Sequence, residues 1–193
     1  MYHIIRFTMK REYPIKVCFV GDPAVGKTSI IAKYVKNQFD EEYLVTMGVS
    51  ITSKRVEFEK FDVVLTTFDL AGQKEFLFQN KLFFEGASAI VFVYDISRRE
   101  TLYHVPDWFD IYKKSNSYKT GDASIFLIGC KQDLEDKRQV SIDEAKEFGE
   151  ELGIKNIFEV SAKTGYNIDV LFEKIITEYI RYRLNKIKNG KAA

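Results

Sequence analysis

The sequence predicts an α/β fold: an open, mostly parallel sheet with helices on its faces. Three observations predict it. Four short, nearly continuous apolar runs recur along the chain: PIKVCFV (14–20), DVVLTTF (62–68), SAIVFVYDI (88–96) and ASIFLIGC (123–130). Segments with helix-start signals or helical periodicity separate and follow them. A glycine-rich stretch, GDPAVGKTS (21–29), comes directly after the first run. Apolar runs of this length suit strands buried on both faces, and their alternation with helices implies an open α/β sheet.

The elements follow in order. Residues 1–13, MYHIIRFTMKREY, read as an extension ahead of the domain. They carry apolar residues but neither the long apolar core nor the cleavage site of a signal peptide. After the first strand, the glycine-rich stretch opens a helix. ITSKRVEFEKF (51–61) alternates in its second half, with Val56 and Phe58 against Arg55, Glu57 and Glu59. That pattern reads as a half-exposed edge strand, turning near Glu59-Lys60 into the run at 62–68. Ser97 with Glu100, and Ser141 with Glu144, have capping-box spacing and announce two helices. A further strand-like piece precedes EVSAKTG (159–165). From Asn167, the residues Ile168, Leu171, Phe172, Ile175, Ile176, Tyr179 and Ile180 mark one apolar face at helical period, read as core packing. There is no repeat and no low-complexity linker, so 14–186 is one domain, followed by a short basic tail at 187–193.

Composition narrows the function. A chain of 193 residues is long enough for one full core. The net charge of +1 creates no global field for nucleic acid. Cys18 and Cys130 make no disulfide framework, which points to a reducing, cytoplasmic setting. His3 and His104 lie far apart, so no zinc cluster is expected. No apolar stretch reaches the roughly 20 residues that span a bilayer.

The motifs sit at predicted carboxyl ends of strands, where ligands bind in open α/β sheets. GDPAVGKTS matches G-x-x-x-x-G-K-[ST] at Gly21, Gly26, Lys27 and Thr28. A polyphosphate is dense negative charge. Such a loop offers backbone N–H donors, a lysine and the positive end of a helix. Lys27 would contact β- and γ-phosphate oxygens, and the Thr28 hydroxyl would ligate Mg²⁺. A phosphate loop alone fits a nucleotide kinase, an ATPase or a GTPase. DLAGQKEF (69–76) narrows the choice. Asp69 can hold Mg²⁺, the Gly72 N–H can reach a γ-phosphate, and Gln73 can orient an attacking water.

The pieces GDPAVGKT, FDEEYLVTMGV, FDLAGQKEF, FFEGASAIVFVYDIS, CKQDL and EVSAKTG occur in one order from about Ile15 to about Tyr182. In them the chain resembles a small GTPase of the Ras superfamily, most of all its Rab branch. The resemblance implies the three-layer P-loop NTPase fold, with a six-stranded, mostly parallel sheet, one antiparallel edge strand and about five helices. It implies a GTP/GDP-binding switch that hydrolyses GTP slowly with Mg²⁺, no arginine being evident near the first switch. Carried over, Asp22, Ala24, Val25, Gly26, Lys27, Thr28 and Ser29 line the phosphates. Thr46 joins Thr28 and Asp69 around the metal. Phe39 stands near the base and Tyr43 flanks the phosphates. Lys27, Thr46 and Gln73 are the catalytic candidates, with Gly72 beside Gln73. Lys131, Asp133 and Leu134, with Ser161, Ala162 and Lys163, form the guanine pocket.

Two positions depart from the pattern. Cys130 stands where an asparagine contacts the base and ties this loop to the phosphate loop, and cysteine is a weak hydrogen-bonder. Pro23 replaces a small residue in a loop where an activating protein inserts an arginine finger. The resemblance also implies an exchange factor, a GTPase-activating protein and effectors acting through switches at 39–49 and 70–82, on a monomer. RYRLNKIKNGKAA has no cysteine for a prenyl anchor, leaving at most weak peripheral contact of its basic residues with membrane. Two rivals remain: a nucleotide-binding scaffold with little turnover, and a P-loop kinase, in which Asp133 and Ser161–Lys163 would lack a purpose. Nucleotide identity and phosphate release separate them.

Overall fold

The computed structural model describes residues 10–39, 46–72 and 81–188. Strand β1 (Arg11–Val20) leads to helix α1 (Lys27–Lys36), then β2 (Val49–Glu57) and β3 (Phe61–Leu70). A 3₁₀ turn at Lys81–Phe84 precedes β4 (Ala89–Asp95), α2 (Arg99–Tyr103), α3 (Val105–Lys113) and α4 (Asn116–Thr120). Strand β5 (Ser124–Cys130) is followed by a 3₁₀ segment at Gln132–Lys137, α5 (Ile142–Glu151), β6 (Asn156–Glu159) and α6 (Ile168–Lys188). The strands lie in the order β2-β3-β1-β4-β5-β6. Only β2 runs antiparallel to its neighbour.

The apolar runs are continuous because β1, β4 and β5 feed two cores, alternate side chains pointing to opposite faces. Val17, Phe19, Val91, Val93, Phe126 and Ile128 pack with Leu171, Phe172, Ile175 and Ile176 of α6. Cys18, Val20, Ile90, Phe92 and Tyr94 pack with Leu102, Val105, Trp108, Phe109 and Tyr112. The expected stripe of α6 is therefore core, and Tyr34 of α1 stacks on Phe172 with centroids 3.7 Å apart. The antiparallel edge strand turns at Glu59-Lys60, where Phe58 N–H donates to the Phe61 carbonyl.

Three details differ from the sequence reading. Strand β1 starts at Arg11, so Arg11, Glu12 and Tyr13 pair with Phe61, Asp62 and Val63. Six α-helices stand among the described residues where about five were expected, because α2 and α3 are separate on either side of His104, and Ser115 caps a further short turn of helix. The Ser141 hydroxyl caps α5 by accepting from Glu144 N–H, but Ser97 caps nothing. Its N–H and hydroxyl both donate to Asp95 Oδ1, at 2.9 and 2.6 Å. A buried carboxylate at a strand end needs donors more than a helix terminus open to water does.

Candidate functional site

The site lies along the carboxyl ends of β1, β3, β4, β5 and β6, and the phosphate loop is its floor. Gly21 has φ of +146°, and a Cβ there would lie 2.2 Å from the Val93 carbonyl oxygen. Only glycine lets the chain leave β1 so close over β4. Gly26, at φ +111°, hands the loop to α1. This N-cap makes no side-chain hydrogen bond, and the first turn of α1 holds no acid. The turn's N–H groups and the positive end of the helix dipole thus face the loop, with Val25 buried beneath and Ser29 half-buried behind. Ala24 takes a left-handed conformation without being glycine.

The Lys27 side chain folds back over the loop. Its ammonium donates to the Gly21 and Asp22 carbonyls, both at 2.8 Å, and the residue is 5% exposed. Burial lowers its pKa from the usual lysine value to about 8, opposed by Asp69 and Asp22.

Three oxygens meet beside it. Thr28 Oγ1 donates to Asp69 Oδ2 at 2.5 Å and lies 2.9 Å from Thr46 Oγ1, and Thr46 Oγ1 is 3.5 Å from the same carboxylate oxygen. Asp69 Oδ1 is buried and has no hydrogen-bond partner among the described residues. Burial raises the Asp69 carboxyl above its usual range, although Thr28, Lys27 and Thr46 pull it back. Two hydroxyls and a carboxylate with an unpaired buried oxygen are a hard-oxygen donor set of the kind that would suit a Mg²⁺ ion. Gly72 lies against the loop: a Cβ on it would stand 2.3 Å from Pro23 N.

The expected guanine pocket is assembled from β5 and β6. Lys131 is left-handed, and the Leu134 N–H donates to its carbonyl at 2.8 Å. The Gln132 N–H donates to the Val160 carbonyl, joining this loop to the one after β6. Ser161 Oγ donates to Asp133 Oδ1 at 2.5 Å and accepts from Thr164 N–H. Ala162 is buried and Lys163 exposed. Cys130 is fully enclosed, and burial pushes its thiol up to about 12, so it is not a reactive thiolate at neutral pH. Phe39 is half-buried two residues beyond Asn37, the C-cap of α1. Tyr43 and Gln73 lie outside the described residues.

Four contributors escaped the sequence reading. Asp22 is gripped from α3 and its N-cap, by Trp108 Nε1 at 2.8 Å and His104 Nδ1 at 2.6 Å. Asp95 and Arg98 form a second grip: Asp95 Oδ2 holds Lys131 Nζ at 2.6 Å, and Arg98 Nη2 donates to the Pro23 carbonyl at 2.9 Å. Asp95 was findable, being an acid at the carboxyl end of an all-apolar strand. His104 and Trp108 stand four apart, a helical spacing, but their target lies more than 80 residues away.

Known proteins match this chain over the whole site. The model of the Ras family matches residues 16–181. Ras-related protein Rab-2B of Dictyostelium discoideum is 36% identical over 170 residues, covering 88% of this chain and 82% of that protein. Ras-related protein RABA4b of Arabidopsis thaliana is 32% identical over 169 residues, covering 88% and 74%. Ras-related protein Rab11D of Nicotiana tabacum is 33% identical over 171 residues, covering 89% and 75%.

Proposed function

The chain belongs to the Ras family and is a GTP-binding switch that hydrolyses GTP, and from that premise we propose how its residues divide the work. One observation carries the reading: a buried lysine, two threonine hydroxyls and a half-paired buried carboxylate converge on one phosphate loop. Lys27 and the N–H groups of 24–29 bind the β- and γ-phosphates. Thr28, Thr46 and Asp69 hold Mg²⁺, which neutralises phosphate charge when bound. Asp22 and Ser29 support the loop. Asp133 reads the guanine edge, Ala162 N–H donates to its O6, and Lys131, Leu134, Ser161, Lys163 and Cys130 shape the pocket. Phe39 and Tyr43 flank the ligand.

Hydrolysis needs a water held in line with the γ-phosphate. Gln73 orients that water, the Gly72 N–H donates to the γ-phosphate, and Lys27 stabilises the charge that develops. Loss of the γ-phosphate frees Thr46 and Gly72, so both switches change state together. Segments 39–49 and 70–82 are then the surfaces for an exchange factor, an activating protein and effectors. Among the described residues no helix is long and apolar enough to cross a membrane. We place the switch in the cytoplasm, as a monomer, and the basic end of α6 suits weak contact with anionic lipid.

The test is the nucleotide content of the purified protein, followed by phosphate release. Guanine nucleotide is expected to co-purify, and a chelator is expected to speed its release. Gln73→Leu leaves GTP binding within about twofold and slows single-turnover hydrolysis at least about tenfold, because only water positioning is lost. Unchanged turnover means that another residue orients the water.

Lys27 supplies a pH signature. Its pKa of about 8 in the described state rises when a polyphosphate anion is placed against it. Binding therefore takes up a proton above about pH 8 and none near pH 7. Affinity is full below the unliganded value and falls up to about tenfold per pH unit above it, until the liganded value is reached. Calorimetry of GDP binding at pH 8.5, in buffers of different ionisation enthalpy, reads the proton directly. A binding enthalpy independent of buffer removes Lys27 from the titration.

A further inference from the structure

The resemblance gives the asparagine expected in place of Cys130 two duties, contacting the base and tying the two loops, and Cys130 leaves the tie open. The last residue of β5 meets the phosphate loop by packing: a Cβ added to Gly26 would lie 2.4 Å from Cys130 Sγ. The polar connection runs beside it. Asp95 pairs in register with Cys130, and its carboxylate side chain is 1% exposed. Burial alone would raise that carboxyl, but Lys131 and Ser97 outweigh it and hold the group below its usual range. Oδ2 receives Lys131 Nζ at 2.6 Å and Arg98 Nε at 3.3 Å. The other end of the same guanidinium, Nη2, donates to the Pro23 carbonyl at 2.9 Å. Proline has no N–H, so this carbonyl is the backbone polar group that position offers. A guanidinium carries diverging donors in one rigid plane and spans two acceptors that a point-like ammonium does not.

We propose that Arg98 is the positioning residue that ties the base loop to the phosphate loop in this chain, through Asp95–Lys131 on one side and Pro23 on the other, in place of the tie made by asparagine. The proposal rests on the nucleotide-site reading above. A ligand that contacts both loops gains from a cleft whose two walls are held at fixed separation, because less ordering remains to be done on binding. Most of that gain appears in the release rate.

The experiment follows release of fluorescent GDP from the wild type, Arg98→Ala, Arg98→Lys, Cys130→Asn and the double variant Arg98→Ala/Cys130→Asn. Arg98→Ala is expected to release GDP about tenfold faster, the scale of one lost charge-assisted hydrogen bond. Arg98→Lys, which keeps the charge but not the fork, releases nearly as fast as Arg98→Ala. Cys130→Asn alone slows release only about two- to threefold, because it adds a base contact to a cleft already tied, yet in the Arg98→Ala background it slows release about tenfold, back to near the wild-type rate. Such coupling between two sites is what a double-mutant cycle isolates, and a merely structural lesion at Arg98 would not be repaired by an asparagine on another loop. Full rescue by lysine reduces Arg98 to a long-range charge and overturns the tie. Equal effects of Cys130→Asn in both backgrounds, or normal release from Arg98→Ala, overturn it as well. A wild-type protein that retains no guanine nucleotide overturns the site reading itself, and this proposal with it.

Discussion

Lys27→Ala lowers affinity for GDP and GTP by about a thousandfold and leaves the unliganded protein folded. The loss is large because one ammonium with several N–H donors faces phosphate oxygens in a buried setting, those of the β-phosphate being present in both nucleotides, and each charge-assisted hydrogen bond is worth roughly 1.5–3 kcal/mol. Two such bonds correspond to about two to four decades of affinity. Stability behaves differently. The residue is 5% exposed, and its ammonium is already disfavoured by burial, as the pKa lowered to about 8 shows. Removing it relieves a buried charge while freeing the Gly21 and Asp22 carbonyls, which the loop can turn toward water. The melting temperature without nucleotide is therefore expected to move by only a few degrees. Calorimetric titration with GDP and a thermal melt, made on one preparation, separate the two effects. GDP binding near the wild-type level, in a protein that still melts cooperatively, would remove the phosphate-loop assignment.

Much of the sheet was legible in the sequence because β1, β4 and β5 are buried on both faces, so every residue of those runs answers to the core. The edge strand announced itself by alternation, since in its second half Thr52, Lys54 and Val56 are half-buried while Ser53, Arg55 and Glu57 are exposed. The stripe from Ile168 to Ile180 carries an angular period that survives without any knowledge of its partner. Contacts between distant parts of the chain have no such local trace. Arg11–Tyr13 joined β1 only because β3 offered hydrogen bonds at that register. Ser97 had the spacing of a cap, yet Asp95, two residues earlier, took both of its donors.

The candidate site divides in the same way. Gly21, Gly26, Lys27, Thr28 and Asp69 follow from what a polyphosphate and a cation require at adjacent strand ends. The grips on Asp22 and Pro23 connect residues 75 to 86 positions apart, and no periodicity encodes them. Cys130 was visible as an anomaly. That the thiol packs under Gly26 while Arg98 makes the polar connection is a fact of three strand ends meeting in space, not of spacing along the chain.

Asp133→Asn is expected to weaken GDP binding by about a hundredfold and to turn the preference toward xanthosine diphosphate. A carboxylate accepts from both the N1–H and the 2-amino group of guanine. An amide offers one acceptor and one donor, so one guanine donor meets a donor and is left desolvated, and a charge-assisted bond is lost. Those losses together reach about 2–4 kcal/mol. Xanthine carries an oxygen at C2, which suits the amide donor and is repelled by the native carboxylate. The surrounding loop should tolerate the change. Ser161 Oγ, 2.5 Å from Asp133 Oδ1, can donate to an amide oxygen as it does to the carboxylate. The Gln132 bond to Val160 and the Leu134 bond to Lys131 are backbone contacts that the substitution does not touch. The ratio of dissociation constants for GDP and xanthosine diphosphate is the measurement, because any general loosening of the pocket cancels in it. A ratio that stays at the wild-type value in the variant places the base elsewhere, and the assignment of Asp133 fails with it.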